Sequence, residues 1–381
     1  MKSIYLFPVL LFGLITFLSS CIDDKIVATH TYYSQEEYQV ISAKLDLPET
    51  PDLYDQFVFD KESHISFVGT LGRVLFYDVN LSSDNSVSCG SCHKQHLAFS
   101  DDVAFSEGIQ NRRTARNSLA LGVFRSFGDY SQDPGTTLFW DGRVDNLHDQ
   151  MIQTIGNPNE MGMQMEDIVE KIKDLDYYKI LVNKAFGVES IEQIHILIAL
   201  EAFMNSIKSN NSRFDDISAQ NPILNSTPRD WQFFTNQENL GKSLFQINCI
   251  NCHSHSLEEI SFDQGLRRAN NGLDLVYTDN GAGEVNPSPE LLGLFKTPSL
   301  RNIELTAPYM HDGRFATLEE VIDFYSEGIQ DHPNLHSFLK ENGQAKKFHF
   351  TENEKAALVQ FLKTLTDQNM VSQTKLSDPF L

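Results

Sequence analysis

Two short motifs of cysteine and histidine constrain the fold of this chain more than any other sequence feature. The first is CGSCH, from Cys89 to His93, and the second is CINCH, from Cys249 to His253. Two cysteines separated by two residues can hold zinc, exchange disulfides or carry a covalently attached haem, and a histidine directly after them favours haem. The chain has 5 cysteines, so the motifs leave only Cys21 outside them.

The three chemistries make different demands on the rest of the chain. A zinc site built from both cysteine pairs requires neither of the two histidines. A thioredoxin-like site requires a βαβ setting, which the sequence does not contain. Haem c requires two thiols one helical turn apart, followed by an imidazole that binds the iron. We therefore predict two covalently bound haem c groups, one on Cys89, Cys92 and His93 and the other on Cys249, Cys252 and His253.

The N-terminus predicts export. Lys2 is followed by an apolar run from Ile4 to Leu18 and then by Ser19, Ser20 and Cys21. The run is short for a membrane span and lies where a secretory signal belongs. Its end resembles a bacterial lipoprotein cleavage box. We predict a lipoprotein signal peptide over residues 1–21 and a location in the periplasm or cell envelope, with a lipid anchor to the membrane through Cys21.

Composition limits the possible partners. With 381 residues and 41% hydrophobic content, the chain can bury one large core or two ordinary ones. The formal net charge of −22, with no cluster of basic residues, excludes nucleic acid as a partner. The same charge favours a positively charged protein partner through long-range attraction.

The chain contains a long-period repeat. LGRVLFYD, from Leu71 to Asp78, precedes the first motif, and LGKSLFQI, from Leu240 to Ile247, precedes the second. This spacing indicates duplication of a whole domain and not a solenoid. Periodic apolar residues indicate helices, and strand-like alternation is scarce. Capping boxes are predicted at Thr235 with Glu238, Thr317 with Glu320 and Thr351 with Glu354, and Ser190 with Gln193 is predicted to open a buried helix.

These patterns predict a mainly α fold with two related modules and long ordered loops. The predicted organisation is a signal peptide at 1–21, an extension at 22–65, an N-terminal haem domain at 66–225, a C-terminal haem domain at 226–368 and a tail at 369–381.

Four segments carry a family resemblance: residues 71–102, FWDGR at 139–143, NPNEMG at 157–162 and FKTPSLRNIELTAPYMHDGRFATLEEVIDFY at 295–325. They closely resemble the bacterial di-haem cytochrome c peroxidases, a family that includes the methylamine-utilisation protein MauG. The resemblance extends from about residue 66 to residue 366. It implies two cytochrome c-like helical domains, in which one haem reacts with hydrogen peroxide and the other passes electrons to it.

The resemblance also assigns roles around the first haem. His93 is its proximal ligand, Glu160 is the catalytic group that moves a proton on the peroxide, and Trp140 is an electron relay between the haems. A carboxyl in a partly dry pocket has a raised pKa and suits this task. The sequence has no histidine between His96 and His148. We therefore expect the first haem to lack the capping histidine that many members carry.

Around the second haem the resemblance places Tyr325 as the sixth ligand of the iron, and Met310 is the rival ligand. It also implies one calcium ion, held by the side chain of Asn117 and the carbonyl oxygens of Thr306 and Pro308.

The expected function is a cytochrome c peroxidase that takes electrons from a small cytochrome c or a cupredoxin. Two alternatives stay open. One is MauG-like, peroxide-dependent oxidation of a partner protein. The other is a non-enzymatic di-haem electron carrier, which requires both irons to be six-coordinate.

Overall fold

The structure is a computed structural model, and it describes residues 33–47, 64–122, 137–220, 230–253 and 267–381. The predicted signal peptide, Cys21 and most of the predicted extension lie outside these ranges. Within them, no helix combines the length and the apolar character that a bilayer crossing requires.

The described residues are mainly helical, as predicted. In chain order the α-helices are α1 (Gln35–Ser42), α2 (His64–Tyr77), α3 (Cys89–Cys92), α4 (Leu147–Gly156), α5 (Met165–Ile172), α6 (Asp176–Phe186), α7 (Gln193–Ser206), α8 (Arg213–Gln220), α9 (Asn236–Asn248), α10 (Ile250–His253), α11 (Ala282–Val285), α12 (Leu318–Asp323), α13 (Glu352–Lys363) and α14 (Gln368–Ser372). A π-helical turn, Phe324–Gly328, extends α12. Two short strands, β1 (Lys340–Glu341) and β2 (Gln344–Ala345), pair antiparallel, with Lys340 opposite Ala345.

Short 3₁₀ turns connect several of these elements. They lie at Val79–Leu81, Gln95–Leu97, Ile109–Asn111, Pro289–Leu291, Ile303–Leu305, Ser337–Leu339 and Thr374–Leu376. The segment from residue 268 to residue 289 is mostly irregular, as the prediction of long loops requires, but it also contains the single turn of α11.

The sequence repeat has a structural counterpart in two equivalent helix crossings. Gly72 lies where α2 crosses α7, and a Cβ at this position would overlap with the carbonyl group of Ala199. Gly241 lies where α9 crosses α13, and a Cβ there would overlap with the carbonyl group of Ala357. Only glycine permits such close backbone approach. The duplicated LG dipeptide therefore marks the contact on which each half of the fold is built.

The basic residue that follows each glycine is buried. Arg73 is 1% exposed and Lys242 is 0% exposed. The Nε atom of Arg73 donates a hydrogen bond of 2.7 Å to the carbonyl oxygen of Ser377. The Nζ atom of Lys242 lies 5.0 Å from the centre of the Trp231 ring. A buried charge requires a partner of this kind, so each half of the fold stabilises a buried basic side chain through such a contact.

The apolar side chains form two main clusters. The first includes Leu71, Phe76 and Phe203, and the tail contributes Met370 and Leu376 to it. The predicted tail, residues 369–381, is therefore packed against the first core. The predicted domain bounds stay a prediction.

The second cluster includes Trp231, Phe245 and Phe361. Phe214 and Ile217 of α8 belong to it, although α8 precedes the predicted boundary at residue 226. A smaller third cluster is formed by Leu273, Phe324, Ile329, Leu335 and Leu339.

Three of the four predicted helix starts are confirmed. Capping boxes are present at Thr235 with Glu238, Thr317 with Glu320 and Thr351 with Glu354. The fourth prediction, that Ser190 caps the buried helix, was wrong. The helix α7 is capped by Glu192, whose backbone N–H donates to the Nδ1 atom of His195 at 3.0 Å. Glu192 immediately precedes the first helical residue, whereas Ser190 lies too early to reach the free N–H groups.

Candidate functional site

The CGSCH motif forms one short helical turn on the wall of a cavity. The backbone N–H of Ser88 donates to the hydroxyl of Ser91 at 3.0 Å, which closes the start of α3. Cys89 and Cys92 are not joined in a disulfide, and both line a cavity of about 300 Å³. A Cβ at Gly90 would overlap with the Tyr77 ring, so this position directly after Cys89 requires glycine. Both thiols are thus directed to one space.

The orientation of His93 suits it to bind a metal. Its Nδ1 atom lies 2.8 Å from the carbonyl oxygen of Phe99. Because a carbonyl only accepts hydrogen bonds, Nδ1 carries the proton and Nε2 keeps its lone pair. Burial lowers the pKa of His93, which keeps the ring neutral. A neutral imidazole with a free Nε2 atom is the form that binds iron.

The second motif repeats this arrangement. Cys249, Cys252 and His253 line a second cavity, of about 210 Å³. The Nδ1 atom of His253 lies 3.2 Å from the carbonyl oxygen of Pro298, and burial lowers the pKa of His253 to about 4. Each cavity therefore has two unpaired thiols and a neutral imidazole on its wall. The residues present fit a haem c group at each site.

Glu160 lines the same cavity as His93. Burial raises the pKa of the Glu160 carboxyl to about 7, although the Asn157 hydrogen bond and the Arg143 charge both act to lower it. The Asn157 amide donates to Oε1 of Glu160 at 2.6 Å. A carboxyl with a pKa near neutrality can accept and return a proton.

The backbone around Glu160 is held by the neighbouring segment at Gly108 and Ile109. The N–H of Ile109 donates to the carbonyl oxygen of Glu160 at 2.9 Å. At Gly108 a Cβ would overlap with the carbonyl group of Asn159, so the two chain segments approach as closely as glycine allows. This contact positions the carboxyl at the cavity.

Among the described residues that line the first cavity, His93 is the only histidine. His96 is exposed and does not line the cavity. The expectation of a first haem without a second histidine ligand is compatible with this arrangement and stays a prediction.

The two cavities share a wall. Nine residues line both of them: Asn117, Ser118, Leu119, Ala120, Trp140, Lys296, Pro298, Ser299 and Arg301. Trp140 is 9% exposed, and its indole N–H donates to the carbonyl oxygen of Asn117 at 2.9 Å. A buried aromatic side chain therefore lies between the two candidate haem sites.

Tyr325 and Met310, the two predicted rivals for the sixth position, both line the second cavity. Leu318 and Ile322 of α12 are buried, and Tyr325 follows them in the π-helical turn. A π turn redirects the side chains that come after it and is often found at functional sites. Burial raises the pKa of Tyr325 to about 12, while a hydrogen bond from Asn271 acts to lower it.

The predicted calcium ligands Asn117, Thr306 and Pro308 all line the second cavity. The amide of Asn117 donates to the carbonyl oxygen of Val103 at 3.1 Å, which leaves its side-chain oxygen as an acceptor. In the described residues, no group of three or more His, Cys, Asp or Glu side chains is arranged for a metal ion. A cation here would depend on amide and carbonyl oxygens, which suit calcium. The calcium site stays a prediction.

Comparison with known proteins shows which family the chain belongs to. Residues 68–222 match the model of the family described as di-haem cytochrome c peroxidase. The methylamine utilization protein MauG of Methylorubrum extorquens is 34% identical over 303 residues, which cover 77% of this chain and 77% of that protein. The chain belongs to the di-haem cytochrome c peroxidase family.

Other members of the family carry both names. The cytochrome c551 peroxidase of Nitrosomonas europaea is 30% identical over 302 residues, which cover 78% of this chain and 79% of that protein. A crystal structure of a MauG-like protein associated with microbial copper homeostasis matches with a TM-score of 0.68 and 31% identity, over 87% of this chain and 97% of that one. Membership implies haem cofactors, a peroxide substrate and redox partner proteins.

In this family member, sequence reasoning missed several charged or polar residues at the cavities. Lys296 lines both cavities, its Nζ donates to the carbonyl oxygen of Thr137 at 2.5 Å, and burial lowers its pKa to about 8. Arg116 donates to Asp279 at 2.7 and 2.8 Å. Lys296 lies in the quoted segment 295–325 and Arg116 lies outside the quoted segments, and no sequence pattern indicated that either residue lines a cavity. No sequence pattern indicated a role for Asn271, because its contacts Met310 and Tyr325 lie far along the chain.

Proposed function

We propose that this chain reduces hydrogen peroxide to two waters with two electrons and two protons. The observation that carries the proposal is that the half-buried carboxyl of Glu160 and the imidazole of His93 line one cavity. A peroxidase requires a group that takes the proton from one peroxide oxygen and delivers it to the other. Glu160, with its pKa raised to about 7 by burial, has the properties for this step.

The first haem, when bound through Cys89, Cys92 and His93, supplies the electron-transfer chemistry that breaks the oxygen–oxygen bond. The protein residues do the rest. His93 donates its Nδ1 proton to the carbonyl oxygen of Phe99, which leaves Nε2 as the atom that would bind the iron. Glu160 accepts the proton from one peroxide oxygen and returns it to the other, which leaves as the first water, and two further protons with the two donor electrons convert the remaining oxygen to the second water. The Asn157 amide orients the carboxyl.

Electrons arrive through the C-terminal half. We infer that Cys249, Cys252 and His253 would hold the second haem, which would supply the entry point for electrons from a small cytochrome c or a cupredoxin. Trp140 lies in the wall between the two cavities and would relay them onward. The net charge of −22 favours a basic donor protein.

Oxidation of a partner protein, as in MauG, is the second candidate function. The observation that favours it is Tyr325 on the wall of the second cavity, because a tyrosinate ligand lowers the reduction potential and stabilises higher oxidation states of iron. This role shares the peroxide-activating step at Glu160 and differs in the electron source.

Peroxide turnover with a set of reduced donors tests the proposal. The ferric protein, with two haems per chain, should show a high-spin signal in electron paramagnetic resonance from the first haem. With peroxide it should oxidise a reduced cytochrome c or cupredoxin catalytically. A protein with two low-spin haems and no peroxide consumption would be an electron carrier. Peroxide consumption that requires a protein substrate and not a donor would indicate the MauG-like function.

The proposal includes export and a lipid anchor at Cys21, which lies outside the described residues. Fractionation of cells that express the wild-type chain and the Cys21→Ser variant tests it. The wild-type chain should be in the membrane fraction. The Cys21→Ser variant, which cannot be lipidated at this position, should be absent from that fraction.

A further inference from the structure

Asn271 contacts both rival ligands of the second haem. Its side-chain Nδ2 atom lies 3.4 Å from the hydroxyl oxygen of Tyr325 and 3.8 Å from the sulfur of Met310. All three residues line the second cavity together with His253. The two candidate sixth ligands therefore share one hydrogen-bond donor.

The orientation of this amide is set by the backbone around it. The Oδ1 atom of Asn271 accepts a hydrogen bond of 3.2 Å from the N–H of Leu273. The same N–H lies 3.1 Å from the hydroxyl of Tyr277, which also contacts Asn270. Because the oxygen side of the amide is held by the loop, the NH₂ side faces Tyr325 and Met310. An asparagine in the reversed orientation would lose the bond to Leu273.

The two acceptors differ in strength. A phenolate oxygen is a strong acceptor, and a hydrogen bond to an ionised oxygen is about twice as strong as a neutral one. A thioether sulfur is a weak acceptor. The Asn271 amide therefore stabilises Tyr325 as a negatively charged ligand far more than it stabilises Met310.

We propose that Asn271 is a positioning residue that selects Tyr325 over Met310 as the sixth ligand of the second haem. This inference rests on the second candidate function, in which Tyr325 is a ligand of the second haem. In the wild-type chain Tyr325 binds the iron and Met310 packs beside it. Without the amide, the preference for the tyrosine oxygen is lost and the sulfur competes.

The test is the optical spectrum of the ferric di-haem protein with Asn271→Leu, which has a similar volume and no donor. The methionine–iron charge-transfer band, absent from the wild type, should appear. The ratio of Tyr325 to Met310 ligation should fall by about tenfold or more, as expected for loss of a hydrogen bond to a charged group. The midpoint potential of the second haem should move upward, because a thioether raises it. In the Asn271→Leu and Met310→Leu double variant the band should vanish again.

Asn271→Asp provides a second variant that preserves shape and polarity and removes the donor at neutral pH. It should also gain the methionine band. Asn236→Leu, at an exposed asparagine, is the matched control and should keep the wild-type spectrum. Unchanged spectra in both Asn271 variants, or a five-coordinate second haem in place of methionine ligation, would overturn the selection by Asn271.

A separate variant tests the ligand itself. In the wild-type background, Tyr325→Phe should change the spectrum of the ferric second haem. If it leaves the spectrum unchanged, Tyr325 is not the ligand and that part of the proposed function fails. If Tyr325→Phe alters the spectrum and Asn271→Leu does not, the ligation stands and only the selecting role of Asn271 is wrong.

Discussion

Replacing Glu160 by glutamine tests the acid–base step at the first cavity. Burial raises the pKa of this carboxyl to about 7 from its ordinary value of 4.5. Only the ionised form can accept the peroxide proton. With a pKa of about 7, the ionised fraction is about one half at pH 7, about one tenth at pH 6 and about one hundredth at pH 5.

The reaction of the wild-type protein with peroxide should therefore accelerate about tenfold for each pH unit up to neutrality and level off above about pH 8. Glutamine keeps the shape of the side chain and cannot accept the proton. The Glu160→Gln variant should react about 10²–10⁴-fold more slowly above pH 7, and its rate should not change with pH in this range.

The assay is stopped-flow mixing of the ferric protein with peroxide between about pH 5 and pH 8, with haem content measured in parallel. Glu166→Gln, at an exposed position in the first turn of α5, is the matched control and should keep the wild-type profile. A Glu160→Gln variant that is as fast as the wild type, or that retains the inflection near neutrality, would refute the reasoning.

Stability gives an independent check on the pKa. The folded protein binds a proton at Glu160 up to about pH 7, whereas the unfolded chain releases it near 4.5. Between these values the folded state binds more protons, so the contribution of Glu160 to stability is present at low pH and is lost as the pH rises through the folded pKa. Glu160→Gln should remove this dependence, which thermal unfolding at acidic and alkaline pH measures.

The other predictions concern packing, cofactors and electron transfer. Gly241→Ala should destabilise the fold by about 1–3 kcal/mol in denaturant unfolding, because the added Cβ overlaps with a backbone carbonyl. The control is Gly156→Ala, where nothing lies within 4 Å of the added Cβ, and its free energy of unfolding should stay within about 0.5 kcal/mol of the wild type. Replacing both Cys249 and Cys252 by alanine should leave one covalently bound haem fewer per chain after acid–acetone extraction of non-covalent haem, and two haems that resist extraction would contradict the assignment. Trp140→Phe should retain both haems and slow electron transfer between them in rapid-mixing experiments, whereas an unchanged rate would remove Trp140 from the route. Chelation of calcium should lower the melting temperature of the wild type, and added calcium should restore it; Asn117→Ala should make the protein insensitive to both treatments.

The sequence by itself determined the features that depend on neighbouring residues. The CGSCH and CINCH motifs predicted the two sites because their chemistry lies within five consecutive residues. The capping boxes at Thr317 and Thr351 were readable because a cap requires only residues three positions apart. The repeated LG dipeptide indicated the duplication, although the reason for glycine became apparent only at the helix crossings.

The tertiary structure decided the features that depend on distant segments. Glu160 acquires its raised pKa from burial in a cavity that segments far apart in the chain enclose. Asn271 meets Tyr325 and Met310 only because a loop folds over the π-helical turn. Burial and side-chain contact between remote segments arise from the packing of the whole chain, so no local pattern of residues encodes them.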